Sequence, residues 1–343
     1  MADINSKNVK LAAYLEQQIP GFAGPLSLGK FPGGQSNPTY LITAASGQYV
    51  LRSKPRGELL ASAHAVDREF RVLQALVDTD VPVAKAYHLC EDDSVFGSMF
   101  YVMSYEAGRT FWDPALTDIA RDQRRPILEQ QVRALAALHN VDVEAVGLSD
   151  YGRPGNYYER QISRWTKQYR AAETEPLPAM EELIQWLPEN VPVDDGNVSL
   201  IHGDYRLDNL IYHPTEPRII AVLDWELSTL GDPLADIAYF CMCLRLPKIY
   251  SLQGLAGKNL EQLGLPNEKE IVALYCALRG IEGIDNWLFY LAFSYFRIAS
   301  ICQGVYSRAQ SGNASDSTAA SRANAAPQLA GMAVTLLLDG NEL

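Results

Sequence analysis

Short strand-like runs fill the first third of the chain, and long runs with helical spacing fill the rest. An N-terminal segment reads as a short helix closed by Pro20-Gly21. Strand-like pieces follow at 26–31, 39–43 and 48–54, and the turn Ala45-Ser46-Gly47 makes a hairpin of the last two. Apolar residues at Leu59, Leu60, Ala63, Val66, Phe70, Leu73, Leu76 and Val77 keep helical spacing, which predicts a helix over 58–77. Two more strands, 83–90 and 99–105, flank the turn Glu91-Asp92-Asp93. The pattern adds up to a small antiparallel sheet with one inserted helix. After Gly108 it predicts helices at 126–140, 155–171, 178–187, 232–246, 268–279, 285–310 and 316–338. Short strands at 198–202, 210–212 and 218–224 interrupt them. The fold class expected is α+β, with a small lobe over 1–106 and a helical lobe over 107–343.

Composition narrows the partners. The chain has 343 residues, and 41 acidic against 29 basic side chains leave a net charge of −12. That balance disfavours a nucleic-acid or anionic-membrane binder, which needs clustered positive charge. The polar N-terminus MADINSKNVK does not resemble a signal peptide. The most apolar stretch, 287–296, runs into Arg297 well short of the roughly twenty residues a spanning helix needs. Five cysteines, mostly in apolar company, are expected to be reduced core thiols of a cytoplasmic protein. Cys241 and Cys243 have no nearby His or second Cys pair, so packing is preferred to zinc.

Candidate chemistry concentrates in 200–226. His202-Gly203-Asp204-Tyr205-Arg206-Leu207-Asp208-Asn209 lies between two apolar strand-like pieces, and a polar cluster there is costly unless it is satisfied or lines a cleft. Asp204 and Asn209 are five apart, so one loop can point both into one space. The apolar run 219–223 then delivers Asp224 at a strand's end. Two carboxylates and a carboxamide are hard oxygen donors suited to Mg²⁺. Phosphoryl transfer needs such a set: a base at the acceptor hydroxyl and oxygen ligands for the metal on the phosphates. The spacing D-x-x-x-x-N, apolar strand, Asp repeats that of protein-kinase catalytic loops. Turn carboxylates that merely cap helices are the plainer alternative.

These residues, with Leu223-Asp224-Trp225-Glu226 and Gly231-Asp232-Pro233-x-x-Asp236, resemble the aminoglycoside phosphotransferase/choline kinase family, which has a protein-kinase-like fold. Further blocks resemble the branch of kinase-like domains associated with acyl-CoA dehydrogenases. They are Gly33-Gly34-Gln35-Ser36-Asn37, Tyr49-Val50-Leu51-Arg52, the segment from Ala63 to Glu69, Arg160-Gln161-Ile162-Ser163-Arg164-Trp165 and Gln303-Gly304-Val305-Tyr306. The resemblance implies an ATP- and Mg²⁺-dependent kinase with Asp204 as base and Asn209 and Asp224 as metal ligands. It places the phosphate-binding cation at Arg52, where the family has Lys, with Lys54 on the same strand face as a second candidate. It also implies a hinge whose backbone groups meet adenine, near Ser104, Tyr105 and Glu106.

Around this frame the residues suggest further roles. Gly33, Gly34, Gln35, Ser36 and Asn37 would form a loop whose N–H groups face phosphate. Glu69 is placed to pair with the cation of the strand before it. Asp232 reads as a helix cap, and His202 and Asp236 as braces of the catalytic loop. Residues 151–170 hold five basic groups and one acid, with Arg160, Arg164 and Lys167 on one helical face. A basic, aromatic wall fits an anionic small-molecule acceptor, such as a hydroxyacyl-CoA. The alternatives are a solvated face paired with the acids at 173–182, an aminoglycoside or amino-alcohol acceptor, and a non-catalytic nucleotide-binding module. The oligomeric state is not readable from the sequence.

Overall fold

The structure, a computed structural model, describes residues 2–31, 37–55, 65–153, 155–249, 252–310 and 325–340. Its chain divides into two compact units, Met1–Arg109 with Ile211–Leu227, and Thr110–Leu210 with Ser228–Leu343. A single cut near residue 106 therefore does not describe the division, because an internal hairpin groups with the N-terminal part.

In the first unit, α1 (Ala2–Gln18) leads into β1 (Leu26–Lys30), β2 (Thr39–Ala44) and β3 (Gly47–Ser53). Then come α2 (Val66–Leu76), β4 (Ala86–Cys90), α3 (Asp93–Phe96) and β5 (Phe100–Ser104). The strands form one antiparallel sheet in the order β1-β2-β3-β5-β4, with Thr39 opposite Arg52 and Arg52 opposite Tyr101. Leu11 and Leu15 of α1, and Ile19 just beyond it, pack with Ile42, Leu51, Phe100 and Val102 of the sheet. On α2, Val66, Glu69, Val72, Leu73 and Leu76 share the buried face. The expected helix over 58–77 is seen from Val66, and 56–64 lie outside the described residues. The turn expected at 91–93 is instead a one-turn helix capped by Asp92, whose Oδ1 accepts the Ser94 N–H at 2.8 Å.

The second unit begins with α4 (Arg121–His139), α5 (Tyr157–Ala172) and α6 (Pro178–Glu189). The predicted start of α4 at residue 126 is late: the helix passes through Pro126 in its second turn, whereas proline is most at home in the first. Short strands β6 (Ser199–Ile201), β7 (Leu210–Tyr212), β8 (Ile219–Val222) and β9 (Thr229–Gly231) follow. β7 pairs with β8, and 211–227 belong with the first unit, where Val222 N–H donates to the Pro82 carbonyl. β9, which the sequence did not suggest, pairs antiparallel with β6. Three residues are too few to show a strand period. The remaining helices are α7 (Leu234–Arg245), α8 (Leu260–Leu263), α9 (Glu268–Arg279), α10 (Trp287–Gln310) and α11 (Ala325–Asp339).

Helix α10 is the hub, touching α5, α6, α7 and α11. It is long and apolar enough to cross a membrane, yet most of it is buried against these neighbours. The helix spans nearly the expected 285–310, and its apolar character continues past Arg297, beyond the ten-residue run at 287–296. Tyr158 of α5 meets Phe289 and Phe293 of α10 edge-to-face, each at 5.1 Å between centroids. All five cysteines are free thiols.

Candidate active site

In the second unit, the loop that carries His202, Gly203 and Asp204 is built around a buried carboxylate. Asp236, in the first turn of α7, accepts the backbone N–H of His202 at 2.6 Å on Oδ2 and that of Gly203 at 2.8 Å on Oδ1. His139 of α4 approaches the same carboxylate at 3.4 Å and meets Tyr275 at 2.7 Å through its other nitrogen. Burial works against the Asp236 charge, but His139 and His202, the latter also through its backbone N–H, hold its pKa below the usual range. Gly203 has φ = +82°, a left-handed conformation that a side chain would strain. His202 is fully buried, and its Nδ1 accepts the Asp204 N–H at 3.1 Å. His202 and Asp236 thus sit where braces were expected.

This frame presents Asp204. Tyr239 of α7 donates its O–H to Asp204 Oδ1 at 2.7 Å, and Asn209 donates Nδ2 to Asp204 Oδ2 at 3.2 Å and to its backbone carbonyl at 2.8 Å. Arg206 Nε lies 3.5 Å from Oδ1. Burial would raise the pKa, yet Arg206, the Tyr239 hydroxyl, His202 and Arg297 outweigh it and keep Asp204 ionised. With its amide nitrogen turned to Asp204, Asn209 leaves its amide oxygen for a cation. Tyr239 and Arg206 had no site role in the sequence reading, although Arg206, two residues beyond Asp204, stood within the motif.

The first unit holds a second polar cluster. Arg52 on β3 places Nε 2.7 Å from Glu69 Oε2 of α2 and Nη2 2.6 Å from Asp224 Oδ1. Glu226 Oε2 lies 3.9 Å from the same nitrogen. Three carboxylates therefore outweigh the burial of Arg52 and raise its pKa further. Glu69 is almost wholly buried and also accepts from Tyr101 at 2.9 Å and from Asn37 Nδ2 at 2.8 Å. Burial raises its pKa despite these partners. The expected Arg52–Glu69 pair is thus present. Asp224, just past β8, has φ = +64° and is about one-third exposed. Only its Oδ1 meets Arg52, so Oδ2 has no protein partner among the described residues.

Other expected residues fall elsewhere. Asn37 is buried, with its amide nitrogen on Glu69. Gly33, Gly34, Gln35 and Ser36 lie outside the described residues. Lys54 reaches Asp67 at 3.5 Å, apart from the Arg52 pairs. The Ser104 N–H is taken by the Lys85 carbonyl at 2.9 Å, and its hydroxyl meets Glu106 at 2.5 Å. Arg160 donates to the Arg153 carbonyl at 2.6 Å. The acids at 173–182 serve Arg170, which reaches Glu181 at 2.6 Å, rather than Arg164 or Lys167. Asp232 Oδ1 caps α7, accepting the Leu234 N–H at 2.8 Å.

Each unit offers a hard oxygen of the kind Mg²⁺ takes, Asp224 in the first and Asn209 in the second, and Mg²⁺ is commonly held by one or two such groups with phosphate and water completing its shell. Among the described residues no three His, Cys, Asp or Glu side chains gather into a cage.

A paired cation, a strand-end aspartate and a braced D-x-x-x-x-N loop are the furniture of phosphoryl transfer. The model of the phosphotransferase enzyme family matches residues 27–258, and the chain belongs to that family. It is 49% identical over 311 residues to acyl-CoA dehydrogenase family member 10 of Mus musculus. That match takes in 89% of this chain but only 29% of the mouse protein. A solved Ralstonia eutropha protein, provisionally named an aminoglycoside phosphotransferase, superposes with a TM-score of 0.88 at 47% identity, covering 96% of this chain and 98% of its own. A thermostable mutant of aminoglycoside phosphotransferase APH(4)-Ia, solved with ADP and hygromycin B, shares the fold alone. Its TM-score is 0.61 at 16% identity, with 94% and 97% of the two chains covered. The expected α+β, kinase-like fold class holds.

Proposed function

We propose that the protein is an ATP- and Mg²⁺-dependent kinase of a small-molecule hydroxyl, acting in the cytoplasm. The observation that carries the reading is the Asp204 carboxylate, oriented by Tyr239 and Asn209 and kept ionised chiefly by Arg206 and the Tyr239 hydroxyl. Asp204 orients the acceptor hydroxyl and takes its proton as the oxygen attacks the γ-phosphorus. The bond from that phosphorus to the bridging oxygen breaks, ADP leaves, and the proton passes to solvent. Asn209 and Asp224 would hold Mg²⁺, which neutralises phosphate charge when bound. Arg52, pre-ordered by Glu69, adds a fixed positive charge for the phosphates, and backbone near Tyr105 and Glu106 receives adenine. Family membership and a fold neighbour that binds ADP support the nucleotide.

The acceptor we favour is an anion such as a hydroxyacyl-CoA, met by the basic face of α5. An aminoglycoside is the second reading, favoured by what the fold neighbour binds. ATP consumption measured across hydroxyacyl-CoAs, hydroxy acids, amino-alcohols and aminoglycosides tests the assignment. On the substrate found, Asp204→Asn should abolish transfer while sparing Mg-ATP binding, and Asp224→Asn should weaken Mg-ATP binding itself. Normal turnover in both variants would end the kinase reading.

A further inference from the structure

Arg297 stands in the middle of α10, an apolar and largely buried helix, with 6% of its surface exposed. A buried arginine is costly unless something uses its charge. One of its Nη groups donates to the Gly203 carbonyl, one residue before Asp204. Its guanidinium carbon lies 5.5 Å from the ring of Tyr239, the residue that holds the Asp204 carboxylate. It also lies 5.6 Å from the indole of Trp165, on the buried side of α5.

The same indole carries a second guanidinium. Arg164 is exposed at the helix surface, yet its guanidinium carbon sits 5.3 Å from the Trp165 ring. Partial burial of the guanidinium among its neighbours, and then the nearby Arg297 charge, lower its pKa. Neither arginine has a carboxylate oxygen within 4.0 Å among the described residues. Arg170, one helical stretch further along α5, shows the contrast, since it is clamped by Glu181 and Glu173. Two like charges stacked on one indole repel each other, and cation–π contact offsets only part of that. Bracing Gly203 accounts for Arg297 but leaves Arg164 unexplained. A planar oxyanion accounts for both, because guanidinium groups bind carboxylate and phosphate through paired N–H donors.

We propose that Arg164 and Arg297, held on Trp165 beside Asp204, form a subsite for an oxyanion of the acceptor, a carboxylate or a phosphate. This deepens the kinase reading and rests on it for the word acceptor. It also moves the anion contact from the expected face of Arg160, Arg164 and Lys167 to Arg164 and a residue on a different helix. Specificity follows: the substrate carries its anionic group near the hydroxyl it offers to Asp204, and a neutral isostere binds poorly.

The test needs no turnover. Tryptophan emission is titrated at constant ionic strength with sodium phosphate, with 3-hydroxybutyrate and with its neutral amide, in the absence and presence of saturating Mg-AMP-PNP. The expected result is a saturable change with at least one anion and none with the amide, persisting with the nucleotide bound and lost in Trp165→Phe. Arg164→Gln should weaken the anion about tenfold, the loss expected for one charge-assisted contact. Arg297→Lys should weaken it as well, with its thermal midpoint measured in parallel. If that variant does not fold, Arg164→Gln alone decides. Saturation by phosphate alone or by the carboxylate alone says which oxyanion the subsite takes. Three results overturn the proposal: no saturable change with either anion, unchanged affinity in Arg164→Gln, or a titration abolished by Mg-AMP-PNP, which would assign the site to the nucleotide's phosphate. Anion binding that survives in a protein inactive toward every acceptor would remove the kinase reading and leave the oxyanion site standing.

Discussion

At the scale of single residues, the two candidate phosphate cations are separable. Arg52 is tied to Glu69 and Asp224, whereas among the described residues Lys54 pairs with Asp67. Arg52→Ala should therefore raise the ATP KM and lower kcat at least tenfold, and Lys54→Ala should change both less than threefold, as steady-state kinetics would show. The reverse ranking would give Lys54 the role. Asp232 makes a pH prediction. Burial, with the charges of Asp194 and Asp195, raises its pKa to about 6, against the Leu234 N–H that favours the ionised form. The folded state thus binds the proton more tightly than the unfolded chain, so this contribution is complete below pH 4 and is lost as pH rises through about 6. Asparagine caps a helix as well as aspartate does but carries no charge. Asp232→Asn should be more stable than the wild type by about 2 kcal/mol at pH 7.5 and no more stable at pH 4, as urea unfolding would show. A gap independent of pH would mean that Asp232 does not titrate there.

Among elements, α10 bears the most weight. Phe293 is 1% exposed and packs edge-to-face on Tyr158 and stacked on Phe289. Phe293→Ala should cost about 3–5 kcal/mol, measured by denaturant unfolding. Legibility in the sequence also varied by element. α9 was readable to the residue, because Asn267 and Glu270 form a capping box and Gly280 closes it in a left-handed conformation. The sheet strands were readable from their alternation and the tight turn at Gly47. What escaped were pieces too short to repeat a period, α3, α8 and β9, and the start of α4, which Pro126 disguised. The same limit applies to the site. Asp204, Asn209 and Asp224 stood out because polar residues interrupt apolar runs there. Tyr239 and Arg297 sit inside apolar helices, where a single polar side chain marks no site, and only the fold shows what they touch.

For the molecule as a whole, ligand linkage is a direct check. A nucleotide that binds the folded state alone, at a hundred times its Kd, should stabilise by about 2.7 kcal/mol. For a chain of this size that raises Tm by about 2–4 °C, seen by scanning fluorimetry with Mg-AMP-PNP, and the shift should shrink in Asp224→Asn. The hairpin at 211–227 has a different consequence, one of timing. Arg52 and its partner Asp224 are 172 positions apart in the chain, yet both belong to the first unit. At roughly 5–20 residues per second, a ribosome leaves the arginine waiting about 10–35 s for that aspartate. Through that interval the nascent sheet holds Arg52 and Glu69 without the third member of the cluster. The unit that begins first is thus completed only after about 100 residues of the other have been made, so the order of synthesis and the order of assembly cannot coincide.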